Sequence, residues 1–124
     1  MTEPVGAAVR TGVSWLTEAQ QATGEFPSFA SSLHEEPRWE PDPLNFVTAL
    51  TSLALEHVDL PEVEAMRVRV AAFLQGEREP AGLWRYWSRE AALHDYTPPD
   101  ADDTACCSLA VGRDTEQALS LIHI

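Results

Sequence analysis

Basic residues are scarce in this chain. Eight Lys and Arg stand against 20 Asp and Glu, for a formal net charge of −12 in 124 residues. That balance argues against nucleic acid as a partner and against binding to anionic membrane surfaces. Cysteine is nearly absent too: the two present, Cys106 and Cys107, are adjacent. Neighbouring cysteines rarely bridge one another because the ring is strained, so no disulfide framework is expected. They read as a reduced, buried pair in a cytoplasmic protein. No apolar run reaches the length of a membrane span, and Met1-Thr2-Glu3-Pro4 has no basic n-region. The sequence is expected to be soluble and intracellular.

What the chain does have is apolar content, 44% of its residues, enough to bury a core and to exclude disorder. At this length it is one domain at most, or a piece of a larger one. Val5, Ala8, Val9, Gly12, Leu16 and Ala19 recur at helical spacing, which predicts an amphipathic helix over 4–22. A Ser- and Pro-rich loop then runs to Pro43. A second helix, 44–58, carries Leu44, Phe46, Val47, Leu50, Leu53, Leu55 and Val58 on nearly every side, as a helix surrounded by protein would. Pro61 with Glu62 opens a third, 61–78, striped with Val63, Met66, Val70, Phe73 and Leu74. A fourth begins near Asp102 or Asp103. The fold class expected is all-α.

The four helices are one pattern written twice. Trp15-Leu16, Gly24 and Phe26 align without a gap on Phe73-Leu74, Gly82 and Trp84, an offset of 58 residues. Thr48-Ala49-Leu50-Thr51-Ser52-Leu53-Ala54-Leu55 aligns on Thr104-Ala105-Cys106-Cys107-Ser108-Leu109-Ala110-Val111, an offset of 56. Each unit, about 4–58 and 61–118, is an amphipathic helix, a Gly-x-aromatic turn, a long loop and a more apolar helix. Such a pair cannot bury both faces alone and must stack on neighbours. The striped helices would lie outside and the others inside, with the inner N-termini gathered at one end.

One stretch departs from the pattern. Pro98-Pro99-Asp100-Ala101-Asp102-Asp103-Thr104-Ala105 holds three carboxylates in four positions at the start of the fourth helix. Asp is favoured at helix starts, where one cap contributes roughly 0.5–1 kcal/mol. The aligned stretch of the first unit, Leu44-Asn45-Phe46-Val47, starts the same helix with no acid at all. Capping therefore accounts for one or two of the three. Crowded carboxylates cannot all ionise cheaply, so one keeps its proton and the others favour the charge left after transfer. Such a cluster suits a general acid. Hard cations also take oxygen ligands, but no second acidic group completes a cage, so no metal site is expected.

Asp-x-Asp-Asp-Thr-Ala resembles the acid motif of class II terpene cyclases, of the squalene–hopene cyclase type. Gly82-Leu83-Trp84, Tyr96 and Pro99 stand where that family carries a Gly-x-Trp turn, an aromatic and a proline ahead of its motif. Leu16, Gln20, Gly24 and Phe26 look like the family's Gln/Trp repeat, with Phe in place of Trp. The resemblance implies an α/α toroid, here an incomplete arc of two helical hairpins. It implies Asp102 as proton donor to an alkene or epoxide, with Asp100 and Asp103 as flanking carboxylates. It implies an isoprenoid substrate cyclised through carbocations in an aromatic-lined cavity, and peripheral membrane contact of a parent protein is compatible with it. The acid step needs no cofactor; Mg2+ enters only with a diphosphate substrate. The sequence departs from the family at Arg78, which replaces the repeat's Gln, and at Arg85-Tyr86-Trp87-Ser88-Arg89-Glu90, which replaces a more apolar stretch. Two other readings remain open: a non-catalytic repeat module whose acidic mouth binds a partner, and a prenyltransferase-type toroid subunit, though the zinc site of the latter is not visible.

Other residues offer weaker sites. Trp84, Tyr86 and Trp87, with Trp39, are candidates to line a substrate cavity, against a packing role in the helices. His94-Asp95 with His57 is a poor match to an HD-type metal site, and solvated histidines are the simpler expectation. His34-Glu35-Glu36 lacks ligand spacing. Arg85 and Arg89 could meet a diphosphate, against the commoner fate of pairing with nearby acids. The last six residues, Leu119-Ser120-Leu121-Ile122-His123-Ile124, are the conceptual translation of a transposon-derived sequencing adapter (CTG TCT CTT ATA CAC ATC). The alternative is a genuine apolar helix end. On the adapter reading, genuine sequence stops near Ala118 and residues 1–118 are an N-terminal piece, expected to be inactive by itself.

Overall fold

A computed structural model of the protein describes residues 3–31 and 38–122, with the backbone alone from Arg113 on. His34, Glu35 and Glu36, and His123 and Ile124 at the end of the tail, lie outside the described residues. Among the described residues the fold is all-α apart from one small hairpin: α1 (Glu3–Ala19), β1 (Phe29–Ser31), β2 (Trp39–Pro41), α2 (Asn45–Ala54), α3 (Pro61–Glu77) and α4 (Ala101–Ile122). β1 and β2 are antiparallel, pairing Phe29 with Pro41 and Ser31 with Trp39. This short sheet falls within the stretch expected to be loop throughout.

Helices α1 and α2 are shorter than their periodicity suggests, each for a local reason. Past Ala19 the chain turns: the Gln20 N–H still reaches Leu16 O, and Gly24 adopts φ 102°. A Cβ at Gly24 would run into the Arg69 carbonyl, so the close approach of this turn to α3 requires glycine. Helix α2 ends at Ala54 because the Leu55 and Glu56 N–H groups tighten onto Ser52 O and Leu53 O, 3₁₀ fashion. α4 starts at Ala101 and is broken at Gly112, at φ 47°, before continuing through Ile122.

Helix α3 packs against α1, α2 and α4 and contributes more buried apolar residues than any other helix. Its stripe is close to that expected, with Val63, Met66, Val70, Ala71 and Leu74 buried and Phe73 half-buried. A fully buried Leu such as Leu74 contributes about 2–3 kcal/mol of transfer free energy. Val13, Phe26, Ala49, Leu55, Trp84, Cys107, Ala110 and Val111 complete this core. The stripe of α1 runs one position away from the expected one. Gly6, Val9, Val13, Leu16 and Gln20 face inward, while Val5, Ala8 and Gly12 are exposed.

Helix α2 is the larger correction. It is not surrounded by protein: Leu50 is 47% exposed and Ala54 is exposed. The side that is buried is polar and small, made of Asn45, Thr48, Ala49 and Ser52. Each of its three polar side chains makes a hydrogen bond, which offsets part of the cost of burying it, although Asn45 Oδ1 is left without a partner. Asn45 Nδ2 donates to Arg85 O, Thr48 Oγ1 accepts from Phe26 N–H, and Ser52 Oγ accepts from Arg67 Nε.

The two aligned turns make the same contacts. Gly24 and Gly82 both have positive φ, 102° and 76°. Phe26 and Trp84, two residues on, are both buried. The Phe26 N–H donates to Thr48 Oγ1 at 3.0 Å, and the Trp84 N–H donates to Thr104 Oγ1 at 3.1 Å. One difference follows the Gln-to-Arg change. Buried Gln20 ties the first turn to α3, donating to Gly24 O and Met66 O and accepting from Arg69. At the aligned place the Arg78 guanidinium lies over Gly82.

Candidate functional site at the start of the fourth helix

One loop holds the starts of both α2 and α4. The Asn45 N–H donates to Tyr86 O, and the Ser88 N–H to Pro43 O, fixing the start of α2. Trp84 reaches Thr104 in the first turn of α4, and the Arg85 guanidinium donates to Thr97 O just ahead of that helix. The starts of α2 and α4 are thus tied to the same segment, 84–88.

At the start of α4 the three carboxylates divide into different roles. Asp100 is the cap: its Oδ1 accepts the Asp103 N–H at 2.8 Å, and its carbonyl accepts from the Thr104 N–H at 3.1 Å. Hydrogen bonds from the Asp103 side chain and backbone, and from the Asp102 backbone, hold the Asp100 carboxyl below its usual range. Asp103 is only 2% exposed. Burial above all, then the hydrogen bond to Asp100 and the charges of Asp100 and Asp102, push Asp103 up to about 7. Asp103 therefore holds a proton well above the pH at which an ordinary carboxyl loses it. Asp102 is exposed, on the open side of the helix.

Helical geometry accounts for this division. Asp102 and Asp103 are successive residues about 100° apart, so one faces outward while the other turns toward α2 and α3. Cys107, one turn beyond Asp103, is fully buried beneath it. Burial and the Asp103 charge raise the Cys107 thiol and keep it neutral. Cys106 is half-buried, and both thiols are free.

Four aromatic rings run beside this end. Phe46 lies 5.9 Å from Tyr86, Tyr86 stacks edge-on to Trp87 at 4.9 Å, and Trp87 meets Tyr96 edge-on at 5.9 Å. Trp87 is held in place by its Nε1–H, which donates to Asp42 Oδ1 at 2.9 Å. Tyr96 is 75% exposed and stands four residues before Asp100. Sequence reasoning singled out Tyr86 and Trp87 but passed over Phe46. The signal was there: at an offset of 56, Phe46 occupies in α2 the place of Asp102 in α4.

The remaining candidates go to structural roles. Trp84 is not a cavity residue: it is buried in the core with its Nε1–H on Leu74 O at 2.8 Å. Trp39 is exposed on β2. Arg85 pairs with Glu79 at 2.6 Å; the Arg89 backbone N–H donates to Glu77, and its guanidinium donates to the Arg78 carbonyl. His57 is solvated, whereas His94 is largely covered and its Nδ1 lies 3.1 Å from Trp87 O. Among the described residues no three His, Cys, Asp or Glu side chains gather as a metal-holding group. Among them, too, no helix is long and apolar enough to cross a membrane. Sequence reasoning missed Glu25, which is buried and raised by desolvation beside Thr23. No family model, curated protein or solved structure matches this chain.

Proposed function

We propose that this chain is part of a class II terpene cyclase-like enzyme with an α/α toroid fold, acting in the cytoplasm on an isoprenoid substrate. The observation that carries the reading is the protonated, buried Asp103 bound to Asp100 at a helix start whose aligned counterpart, Val47, needs no acid. Asp102, exposed beside that pair, is the carboxyl within reach of a substrate. In its acid form it gives its proton to an alkene or epoxide, leaving a carboxylate and a carbocation. The π electrons of the next double bond close the ring, and loss of a proton at the end restores neutrality. With Asp103 holding its proton beside Asp100, only one of the three carboxyls is charged before transfer and two after it. The row Phe46, Tyr86, Trp87, Tyr96 offers ring faces that stabilise a passing cation. No step draws on a metal.

The test is incubation of the protein, carried to the end of its full reading frame, with squalene and with prenyl diphosphates. Asp102→Asn is run alongside, and products are resolved by mass spectrometry. Cyclic product that disappears in the variant is the expected result. Product unchanged in the variant removes Asp102 from the role, and no product from any isoprenoid removes the cyclase reading.

A further inference from the structure

The turn after α1 holds a carboxyl that the acid motif does not use. Glu25 is 3% exposed. The Thr23 hydroxyl donates to its Oε1 at 3.2 Å, and among the described residues no basic side chain pairs with it. Arg69, which reaches this turn from α3, donates instead to Gln20 Oε1 and Gln21 O. The charges that Glu25 feels, Glu90 and Glu77, are of its own sign, and they add to the desolvation that raises it. A carboxylate so placed lacks its counter-charge.

Glu25 also lines a cavity of about 90 Å³, room for a group of ammonium size and its first carbons. Gln21, Pro27, Phe29, Pro41 and Pro43 wall it. Past Pro27, Ser28 and Phe29 it continues into a more open hollow bounded by Trp39. The register of the hairpin accounts for this shape. Phe29 pairs with Pro41 and Ser31 with Trp39, so these four share one face, with Phe29 and Trp39 diagonal across it. Both rings are open to solvent, Phe29 at 56% and Trp39 at 70%. The cleft thus has a carboxyl within and aromatic rings at its mouth, and all of this lining comes from residues 21–43, inside the first unit.

We propose that this cleft binds a small organic cation, a primary ammonium compound with a short apolar body, its ammonium against Glu25 and its body between Phe29 and Trp39. The ammonium supplies the counter-charge that the turn lacks, and the two rings add cation–π and apolar contact. A neutral ligand of the same shape leaves the carboxylate uncompensated, and an anionic one is repelled by Glu25, Glu77 and Glu90 together. Neither α4 nor the ring row from Phe46 to Tyr96 takes part, so the inference stands or falls separately from the cyclase reading.

The test is an NMR titration of the 124-residue chain with 2-phenylethylamine, beside 2-phenylethanol, which has the same shape and no charge. The Trp39 indole N–H and the Glu25 carboxyl carbon are the reporters. The amine should shift both saturably, with a dissociation constant on the order of a millimolar, and the alcohol should bind at least about tenfold more weakly. Glu25→Gln should weaken the amine by about tenfold or more, and Trp39→Ala, at an exposed position, by about two- to fivefold. Circular dichroism checks that both variants keep the wild-type melt; should Glu25→Gln fail to fold, Trp39→Ala and the alcohol still decide. Equal binding of amine and alcohol overturns the proposal. So do undiminished affinity in either folded variant, shifts at Asp100, Asp102 and Asp103 in place of the two reporters, or no saturable shift at all.

Discussion

The starts of α2 and α4 solve one structural problem in two ways. Both are helix ends held by the 84–88 loop, and both place a threonine hydroxyl under the N–H of a buried aromatic. At α2 the neighbouring loop supplies Tyr86 O for the Asn45 N–H, and Leu44 at the cap gives no side-chain bond. At α4 Asp100 caps the helix, and two further carboxyls follow, one buried and one exposed. The fold thus has a working solution without acids and, at the second site, carries acids beyond what capping uses. That surplus, with Asp103 raised to about 7, is what the proposed acid chemistry uses.

The comparison is broken most severely at Asp102. If it delivers the proton, Asp102→Asn should lower turnover by about 10²–10⁴-fold, the range of a general acid, with the melting temperature unchanged. Product analysis against thermal unfolding separates the two effects. The glycines come next. Gly24→Ala should cost about 3 kcal/mol, combining a positive φ with a clash against the Arg69 backbone. Gly82→Ala meets only the end of the Arg78 side chain and should cost about 1 kcal/mol. Urea titration of the pair checks the ranking, and equal losses would contradict it. The threonines should differ less. Thr48→Val leaves the buried Phe26 N–H unpaired, for about 2 kcal/mol; Thr104→Val, half-buried, should cost about 1 kcal/mol.

The smallest effect is a slope. Asp103 has an ordinary value of 3.8 and is raised to about 7 in the fold, so the native chain binds more protons than the unfolded one between those values. Stability should therefore fall as pH rises through that window. Glu25, also raised, pulls the same way, while Asp100, lowered, acts only below the window, where its contribution is lost on acidification. Asp103→Asn should flatten the decline between pH 4 and 8 in urea midpoints, and an unchanged slope would place its cause elsewhere.

Much of this was legible in the sequence, and the reasons are specific. The helices of α3 and α4 were readable because Pro61, Glu62 and the Asp cluster mark their starts. The repeat was readable because Gly24 and Gly82 are needed at positive φ and so persist in register. The covered side of α2 was not. Its apolar residues outnumber its polar ones, yet Asn45, Thr48 and Ser52 are the ones buried, because specific bonds to Arg85 O, Phe26 and Arg67 reward them. Periodicity counts hydrophobicity and cannot see such partners. The hairpin of β1 and β2 was invisible for a similar reason: three-residue strands carry too little alternation to register. Within the acid motif, adjacency in sequence hid the separation of Asp102 from Asp103 around the helix.

The most direct measurement of the central claim is the titration of the Asp103 carboxyl carbon, followed by ¹³C NMR in the wild-type protein and assigned with Asp103→Asn. A midpoint near 7, with Asp100 remaining ionised below the usual carboxylate range, is the expected result. A midpoint at the ordinary value of 3.8 would contradict it, and would return the cluster to the role of a helix cap.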